Sequence, residues 1–299
     1  MDNLNLLFQA PILSLGLMLD GVLIGAIFAL AAFGLALVWG VMGIINVTQG
    51  EYVMLGGYVT YVLSKYGMHP LATIPIAAFV LWIVGWVLYR TVVNRIVGRD
   101  MFISLLATFG ISQVLAQGMN LAFGAAPVTV DAGLGTIFFF DGELTISGIR
   151  VVAFALSIVI ALSLWMFLRR SRLGQSIRAT AQNPRAARIL GINVDKVYAH
   201  TFALNAAICG AAGALVAMAI IVGPTLGLIY TLRAFLIGIL GGLGSVIGSL
   251  LAGTGLGAAE NLFGFLAGSE LQQAFTFLLL VAILVLRNWR LQRQRKYLR

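Results

Sequence analysis

Long runs of apolar residues, separated by short polar segments, dominate the chain. In chain order they cover roughly 15–41, 52–64, 71–89, 102–123, 149–168, 197–222, 232–251, a Gly-rich stretch up to 266, and 271–286. A helix needs roughly 20 mostly apolar residues to cross about 30 Å of hydrocarbon, whereas strands of a membrane barrel are shorter and alternate in polarity. The pattern therefore predicts an all-α, polytopic helical membrane protein with about eight or nine spans.

Two Gly-rich segments interrupt this pattern, at 40–57 and at 238–253, and each follows a full apolar run. Lipid offers no hydrogen bonds to the backbone, so a broken helix at membrane depth is tolerated only inside protein or beside a cavity. Broken helices after two spans of opposite direction are typical of an inverted repeat. The alternative is close helix packing through small residues spaced four apart, which occur as the pairs Gly21 and Gly25, Gly244 and Gly248, and Gly253 and Gly257.

The same pattern predicts one transmembrane permease-like domain over residues 1–299. Its expected parts are a first repeat at 15–123, a connecting span at 149–168, a polar cytoplasmic segment at 169–196, a second repeat at 197–287 and a basic tail at 288–299.

Composition supports the membrane interpretation, because hydrophobic residues make up 61% of the chain and charged residues only 10%. The net charge of +9 comes largely from basic clusters at 90–99, 169–196 and 287–299, each beside the end of a span. Such clusters are typical of cytoplasmic loops. We therefore expect membrane lipid and no nucleic acid as a partner, with the C-terminus in the cytoplasm and the N-terminus outside.

The residue inventory argues against an enzyme. A P-loop needs Lys after Gly, and none of the three lysines follows a glycine. With two histidines and one cysteine, the chain has too few such residues to favour a His/Cys metal site or a serine nucleophile activated by histidine. The expectation is no catalytic residue, no metal and no cofactor.

Polar residues within the two Gly-rich segments are the candidates for lining a solute path. They are Asn46, Thr48, Gln49 and Glu51 in the first segment, and Gly241, Gly242, Gly244 and Ser245 in the second. A carboxylate at bilayer depth costs on the order of 2.5–3.5 kcal/mol, so Glu51 should face a partner, water or the bundle interior. Alternatively, it is an acidic residue favoured by the dipole in the first turn of a helix. Arg233 and Glu260, the latter beside Asn261, are either buried packing residues or lie at an aqueous edge.

The polar segment 169–196 is the one long interruption of the apolar pattern and predicts a docking site for another protein. Asn183 suits a helix N-cap, Pro184 the first helical position, and Gly191 the position after the end. The candidate contacts with an ATPase are Asn183, Pro184, Arg185, Ala186, Ala187, Arg188, Leu190 and Gly191. A solvated helical hairpin without a partner is the alternative.

Three blocks in order along the chain carry a family resemblance. They are 40–46 with 49–51 and 54–58, then 181–183 with 186–193, and finally 232–235 with 239–245. In these blocks the chain resembles the smaller permease subunit of bacterial ABC importers for branched-chain amino acids. Where that family commonly has Asn-Phe-Ala-His-Gly-Glu, this chain has Asn-Val-Thr-Gln-Gly-Glu at 46–51.

The resemblance implies a non-catalytic, channel-forming subunit of the bacterial inner membrane. It implies pairing with a second permease subunit, two cytoplasmic ATP-binding subunits that hydrolyse ATP, and an extracytoplasmic substrate-binding protein. Urea, short amides and aromatic acids are alternative solutes among similar permeases. An ion-coupled secondary transporter is the alternative from another class, with Glu51 and Glu260 as its only candidate ion ligands in the membrane.

Overall fold

The structure is a computed structural model that describes residues 10–139, 144–242 and 245–296. Most of these residues are helical, as the apolar runs predicted. The helices are α1 (Pro11–Met42), α2 (Gln49–Lys65), α3 (Thr73–Thr91), α4 (Met101–Phe123), α5 (Gly148–Arg170), α6 (Arg172–Gln182), α7 (Pro184–Ile189), α8 (Val194–Ala219), α9 (Gly227–Gly241), α10 (Val246–Ala267) and α11 (Ser269–Lys296). Residues 297–299 of the basic tail lie outside the described part.

Six helical stretches in the described part are long and apolar enough to cross a membrane. They are α1, the stretch Pro70–Arg95 that contains α3, then α4, α5, α8 and α10. Two shorter apolar stretches, α9 and Glu270–Leu286 within α11, add to these. The chain is therefore a multi-span helical membrane protein, while the count of eight or nine spans stays a prediction.

A short β-hairpin departs from the all-α prediction. Strands β1 (Thr136–Phe139) and β2 (Leu144–Ser147) pair antiparallel with Thr136 opposite Ser147. Threonine, isoleucine and phenylalanine dominate these strands, and such β-branched and aromatic residues favour extended backbone. Strands of four residues are too short to be recognised in the sequence between long apolar runs.

Helices α1 and α8 form the centre of the bundle and are its most buried long helices. They contact each other, and α1 also packs on α9 and α10 while α8 packs on α2 and α3. Helices α1 and α10 approach closely through small residues, since a Cβ on Gly21 or Gly25 would overlap the backbone of Gly257 or Gly253. Close packing through small residues, which the sequence left open as an alternative, is thus observed for Gly21 with Gly25 and for Gly253 with Gly257, whereas Gly244 lies outside the described residues.

Ion pairs mark the two ends of the bundle. At one end Arg90 Nη1 lies 3.3 Å from Asp195 Oδ2, and the Tyr89 hydroxyl donates to Asp195 Oδ1 at 2.7 Å. This pair brings the basic clusters at 90–99 and 169–196 to the same end. At the other end Arg150 pairs with Asp20, near the N-terminal half of α1.

Candidate solute path and docking helix

The first Gly-rich segment is a break that returns into the bundle. Helix α1 ends at Met42, residues 43–48 are not helical, and α2 begins at Gln49. Gln49 Nε2 donates to the carbonyl oxygen of Ala31 at 2.6 Å. Ala31 lies well inside α1, roughly 16 Å from its end at Met42 along the helix axis. The chain therefore runs back beside α1 before the next helix starts, as the glycines and polar residues predicted.

Two buried threonines satisfy the backbone of this break. Thr108 Oγ1 on α4 accepts from Val47 N at 3.2 Å and lies 3.0 Å from the carbonyl oxygen of Ile45. Thr231 Oγ1 on α9 accepts from Gly50 N at 2.8 Å and lies 3.1 Å from the carbonyl oxygen of Val47. Unwound backbone inside a membrane protein needs such partners because lipid supplies none. Neither threonine is distinguishable in the sequence from a threonine bonded to its own helix.

The first turns of α2 and α9 meet at the break. A Cβ on Gly50 would overlap the carbonyl oxygen of Gly227, and a Cβ on Gly227 would lie 2.6 Å from Glu51 Oε1. The overlap at Gly50 is with backbone, so this position needs glycine for the contact, whereas the atom nearest to a Cβ on Gly227 belongs to the Glu51 side chain. The Glu51 carboxylate thus lies against the N-terminal end of α9, where the helix dipole favours negative charge.

The four polar side chains predicted for the path are brought together and are buried, at no more than 3% exposed. Asn46 Oδ1 accepts from Thr48 N at 3.2 Å, and Asn46 Nδ2 lies 3.5 Å from Gln49 Oε1. Glu51 Oε2 has no hydrogen-bond partner among the described residues. These side chains form a buried polar cluster among α1, α4, α8 and α9, with the Ser112 hydroxyl of α4 beside the Glu51 carboxylate.

Helix α8 contributes to the same cluster through residues that sequence analysis did not single out. Gln49 Nε2 lies 3.0 Å from Asn205 Oδ1 and 2.9 Å from Cys209 Sγ. Both partners are fully buried and one helical turn apart on α8. An Asn in an apolar run is a sequence signal for such a contact, but its partner is too distant along the chain to be recognised.

The second Gly-rich segment lies elsewhere. Gly241 ends α9 and packs against the backbone of Gly248, Gly242 has φ 80°, and the exposed Ser245 caps α10 by accepting from Gly248 N at 3.0 Å. These residues lie at the opposite end of α9 from the polar cluster, roughly 20 Å away along the helix. The structure therefore does not bring the two predicted sets together, and the described residues of the second set lie at the end of α9 and the start of α10. Gly244 lies outside the described residues.

Helix α7 has the caps that the sequence predicted. Asn183 Oδ1 accepts from Arg185 N at 3.0 Å and from Ala186 N at 3.1 Å, and Pro184 is the first helical residue. Past the end, Gly191 has φ 84° and its N–H donates to the carbonyl oxygen of Arg188 at 3.0 Å. A left-handed residue at this position favours glycine.

The exposed residues at α7 only partly match the candidate contacts with an ATPase. Ala187 is only 2% exposed, whereas Ile189 is 86% and Leu190 79% exposed. Arg185, Ala186 and Arg188 are exposed as well, as are Asn183 and Gly191, while Pro184 is half-buried. The outward apolar surface is therefore Ile189 with Leu190. Ile189 was not among the candidate contacts, because six residues are too few for helical periodicity to assign a face.

The sequence profile of a family described as "Branched-chain amino acid transport system / permease component" matches residues 17–284. The chain belongs to this permease family. The resemblance stated from the three sequence blocks is thereby confirmed, and the permease is a membrane-embedded transport component.

Two relatives match nearly the whole permease. The high-affinity branched-chain amino acid transport system permease protein BraD of Pseudomonas aeruginosa is 29% identical over 285 residues, which cover 90% of this chain and 92% of BraD. LivH of Escherichia coli K12, described in the same words, is 30% identical over 288 residues, again covering 90% of this chain and 92% of LivH. A solved structure, PsaBC from Streptococcus pneumoniae in complex with Fab, aligns over 95% of the permease at 11% identity, with a TM-score of 0.47 that carries no fold assignment.

Proposed function

We propose that the permease is the membrane-spanning subunit of an ATP-driven ABC importer for branched-chain or other small hydrophobic amino acids. The observation that carries the proposal is the capped helix α7 with its exposed Ile189 and Leu190. Two large apolar side chains held outward on a rigid, polar segment are costly to leave in water. They are suited to fill a pocket of a partner protein.

The permease family and the basic clusters at the α7 end indicate which partners the permease has and where they bind. Relatives named as permease proteins of high-affinity transport systems support further subunits. The resemblance in the three sequence blocks implies that these are a second permease subunit, two ATP-binding subunits, which we place at α7, and a binding protein on the opposite side. The basic clusters at 90–99 and 169–196 favour the cytoplasm for the α7 end and, with it, for the C-terminus. The location is then the bacterial inner membrane.

The packing of the helices supports an inverted repeat within the bundle. Helix α1 packs on α9 and α10, and α8 packs in the corresponding way on α2 and α3. In each half a long central helix is followed by a break and then by a helix that starts at the bundle centre, at Gly50 or Gly227. We therefore relate α1–α4 to α8–α11 by a pseudo-two-fold axis through the contact of these two glycines, with α5 as the connecting span.

Contacts link the docking helix to the polar cluster. Helix α8 begins at Val194, directly after α7 and the turn at Gly191, and its N-terminus is capped by Asn193. Further along, α8 holds Gln49 through Asn205 and Cys209. Movement of α7 with the ATPase would shift α8 and so loosen or close the cluster around Asn46 to Glu51, which would open the path to one side at a time.

The geometry bears on the alternative functions. An ion-coupled transporter needs acids available as ion ligands, and Glu260 Oε2 lies 3.3 Å from Arg233 Nη2. That pairing leaves Glu51 as the candidate ion ligand of a secondary transporter. A single available acid favours the ATP-driven importer over ion coupling. Urea, short amides and aromatic acids remain alternative solutes, because the polar cluster itself does not discriminate among small polar groups.

A matched pair of variants at α7 tests the proposal. Burying one Ile side chain at an interface is worth about 1.5–3 kcal/mol, and each 1.4 kcal/mol is tenfold in affinity. Ile189→Asp should therefore weaken binding of the ATP-binding subunits at least tenfold, while Ile189→Leu should not. Affinity of the purified permease for those subunits, together with ATP-driven uptake in liposomes, is the measurement. Unchanged affinity and uptake for Ile189→Asp would contradict docking at α7.

A further inference from the structure

A second polar cluster lies between α1, α9, α10 and α11. Arg233 Nη2 lies 3.3 Å from Glu260 Oε2, and the two side chains are 15% and 6% exposed. The hydroxyl of Thr276 donates to Glu260 Oε1 at 2.5 Å. Arg233 is two positions beyond Thr231 on α9, about 200° around the helix, so it points away from the break and toward α1 and α10. This cluster is therefore separate from the polar residues at Asn46 to Glu51.

The cluster lines a cavity of about 160 Å³. Its polar wall consists of Arg233, Glu260, Asn261 and Gln272, and Gln272 Nε2 lies 3.5 Å from Asn261 Oδ1. The opposite wall is apolar and includes the side chains of Ile24, Phe28, Ile220 and Ile237. The cavity thus presents both charges on one side and aliphatic and aromatic surface on the other.

Packing alone does not account for the ion pair. Replacing a buried pair by apolar residues of similar volume is often neutral or stabilising, because the desolvation cost exceeds the Coulombic gain. Arg233 Nε is buried without a hydrogen-bond partner among the described residues, and the guanidinium lies 5.0 Å from the centre of the Phe28 ring. The guanidinium therefore keeps donor capacity that Glu260 does not use.

We propose that this cavity binds a zwitterionic α-amino acid with an aliphatic side chain. The ligand carboxylate accepts from Nε and an Nη of Arg233, in the bidentate geometry that suits a guanidinium. The ligand ammonium donates to Glu260 and to the amide oxygen of Gln272. One ion pair is exchanged for two, so a neutral ligand enters without leaving a net buried charge. The apolar wall contacts the side chain.

The position of the cavity suits a first contact with the solute. Its lining includes Gly21 and Gly25 in the N-terminal half of α1, close to the end marked by the pair of Asp20 and Arg150. In the proposed orientation this half faces outward, toward the binding protein. The site rests on the proposed function and adds the place in the permease, and the residues, that bind the solute before the break opens.

Equilibrium binding of radiolabelled L-leucine to the purified permease complex, without binding protein or nucleotide, tests the site. Leucine should bind at least tenfold more tightly than the competitors 4-methylpentanoate, which lacks the ammonium, and isoamylamine, which lacks the carboxylate. Glu260→Gln should weaken leucine binding at least tenfold and abolish the preference over 4-methylpentanoate. Arg233→Lys should weaken leucine binding at least fivefold. Arg90→Lys, at the exposed pair on the other end of the bundle, is the matched control and should change nothing.

The double variant Arg233→Gln with Glu260→Gln keeps the result interpretable. It removes both charges together, so no uncompensated charge is left buried and the fold should persist. We expect it to remain monodisperse and to lose leucine binding. Leucine binding like that of the wild type in the double variant would make the pair purely structural and overturn the site. If the complete importer accumulates leucine with ATP but its permease complex binds no leucine in the equilibrium assay, the site is overturned and the proposed function stands. If the complete importer accumulates no leucine with ATP, the proposed function is overturned.

Discussion

Removal of the Thr231 hydroxyl should destabilise the permease strongly, because this hydroxyl holds the start of α2 against α9. Its Oγ1 accepts from Gly50 N at 2.8 Å and lies 3.1 Å from the carbonyl oxygen of Val47. Valine has nearly the same shape but no hydroxyl. Thr231→Val would leave two buried backbone groups unpaired at about 1–3 kcal/mol each, so the free energy of unfolding should fall by about 2–6 kcal/mol.

Hydrogen bonds between membrane helices average only about 0.6 kcal/mol, but that figure concerns side chains on helices whose backbone is already satisfied. The Gly50 N–H lies in the first turn of α2, where no backbone acceptor is available within the helix, and the Val47 carbonyl lies in the unwound segment, so neither group has a helical partner. Thr254→Val is the matched control, because Thr254 Oγ1 bonds only to the carbonyl oxygens of Leu250 and Leu251 in its own helix. Losing those secondary bonds should cost less than about 1 kcal/mol.

The measurement is reversible unfolding of the purified permease by SDS titration in mixed micelles, followed by tryptophan fluorescence. Thr231→Ser, which keeps the hydroxyl and loses one methyl group, should cost about 1 kcal/mol. The ranking expected is Thr254→Val and Thr231→Ser near the wild type, with Thr231→Val well below. If Thr231→Val and Thr254→Val unfold at the same SDS fraction, the hydroxyl does not support the break and the reasoning fails.

Three further predictions concern the break after α1 and the docking helix α7. Gly50→Ala should lower the free energy of unfolding by about 1–3 kcal/mol, because the new Cβ overlaps the backbone of Gly227, while Gly110→Ala in open space should not destabilise. Gln49→Glu should be less stable than Gln49→Leu in the same SDS titration, because a carboxylate would then face the acceptor oxygens of Ala31 and Asn205 that the Gln49 amide now contacts. The reverse order of stability would disprove this orientation of the amide. Asn183→Ala should remove the cap of α7 at about 1 kcal/mol, which speeds amide exchange in α7 roughly fivefold by hydrogen–deuterium exchange, and unchanged exchange would show that the cap is dispensable.

Local features of the candidate sites were predictable from the sequence. The cap at Asn183, the helix start at Pro184 and the turn at Gly191 depend on residues within one short segment, so their chemistry fixes the structure. The break after α1 was predictable for a related reason, since glycines and polar residues interrupt an apolar run only where protein can satisfy the backbone.

Contacts between distant parts of the chain were not predictable. Thr231 supports the first break from α9, and Glu260 meets Arg233 across two helices, although the sequence alone left both charged residues without an assigned partner. The prediction that both Gly-rich segments line one path did not anticipate their separation along α9. Glycine is needed at Gly241 for close approach to Gly248 and at Gly50 for contact with another helix start, so the same residue type carries two different roles.

Uptake by the permease reconstituted in liposomes tests the central claim most directly. Alone, the permease should accumulate no labelled leucine under an inward proton or sodium gradient, because none of its three lysines lies in a P-loop sequence and Glu260 is paired with Arg233. With the second permease, the ATP-binding subunits, the binding protein and ATP, it should accumulate leucine against its gradient. Gradient-driven accumulation by the isolated permease would contradict the account and make it a secondary transporter.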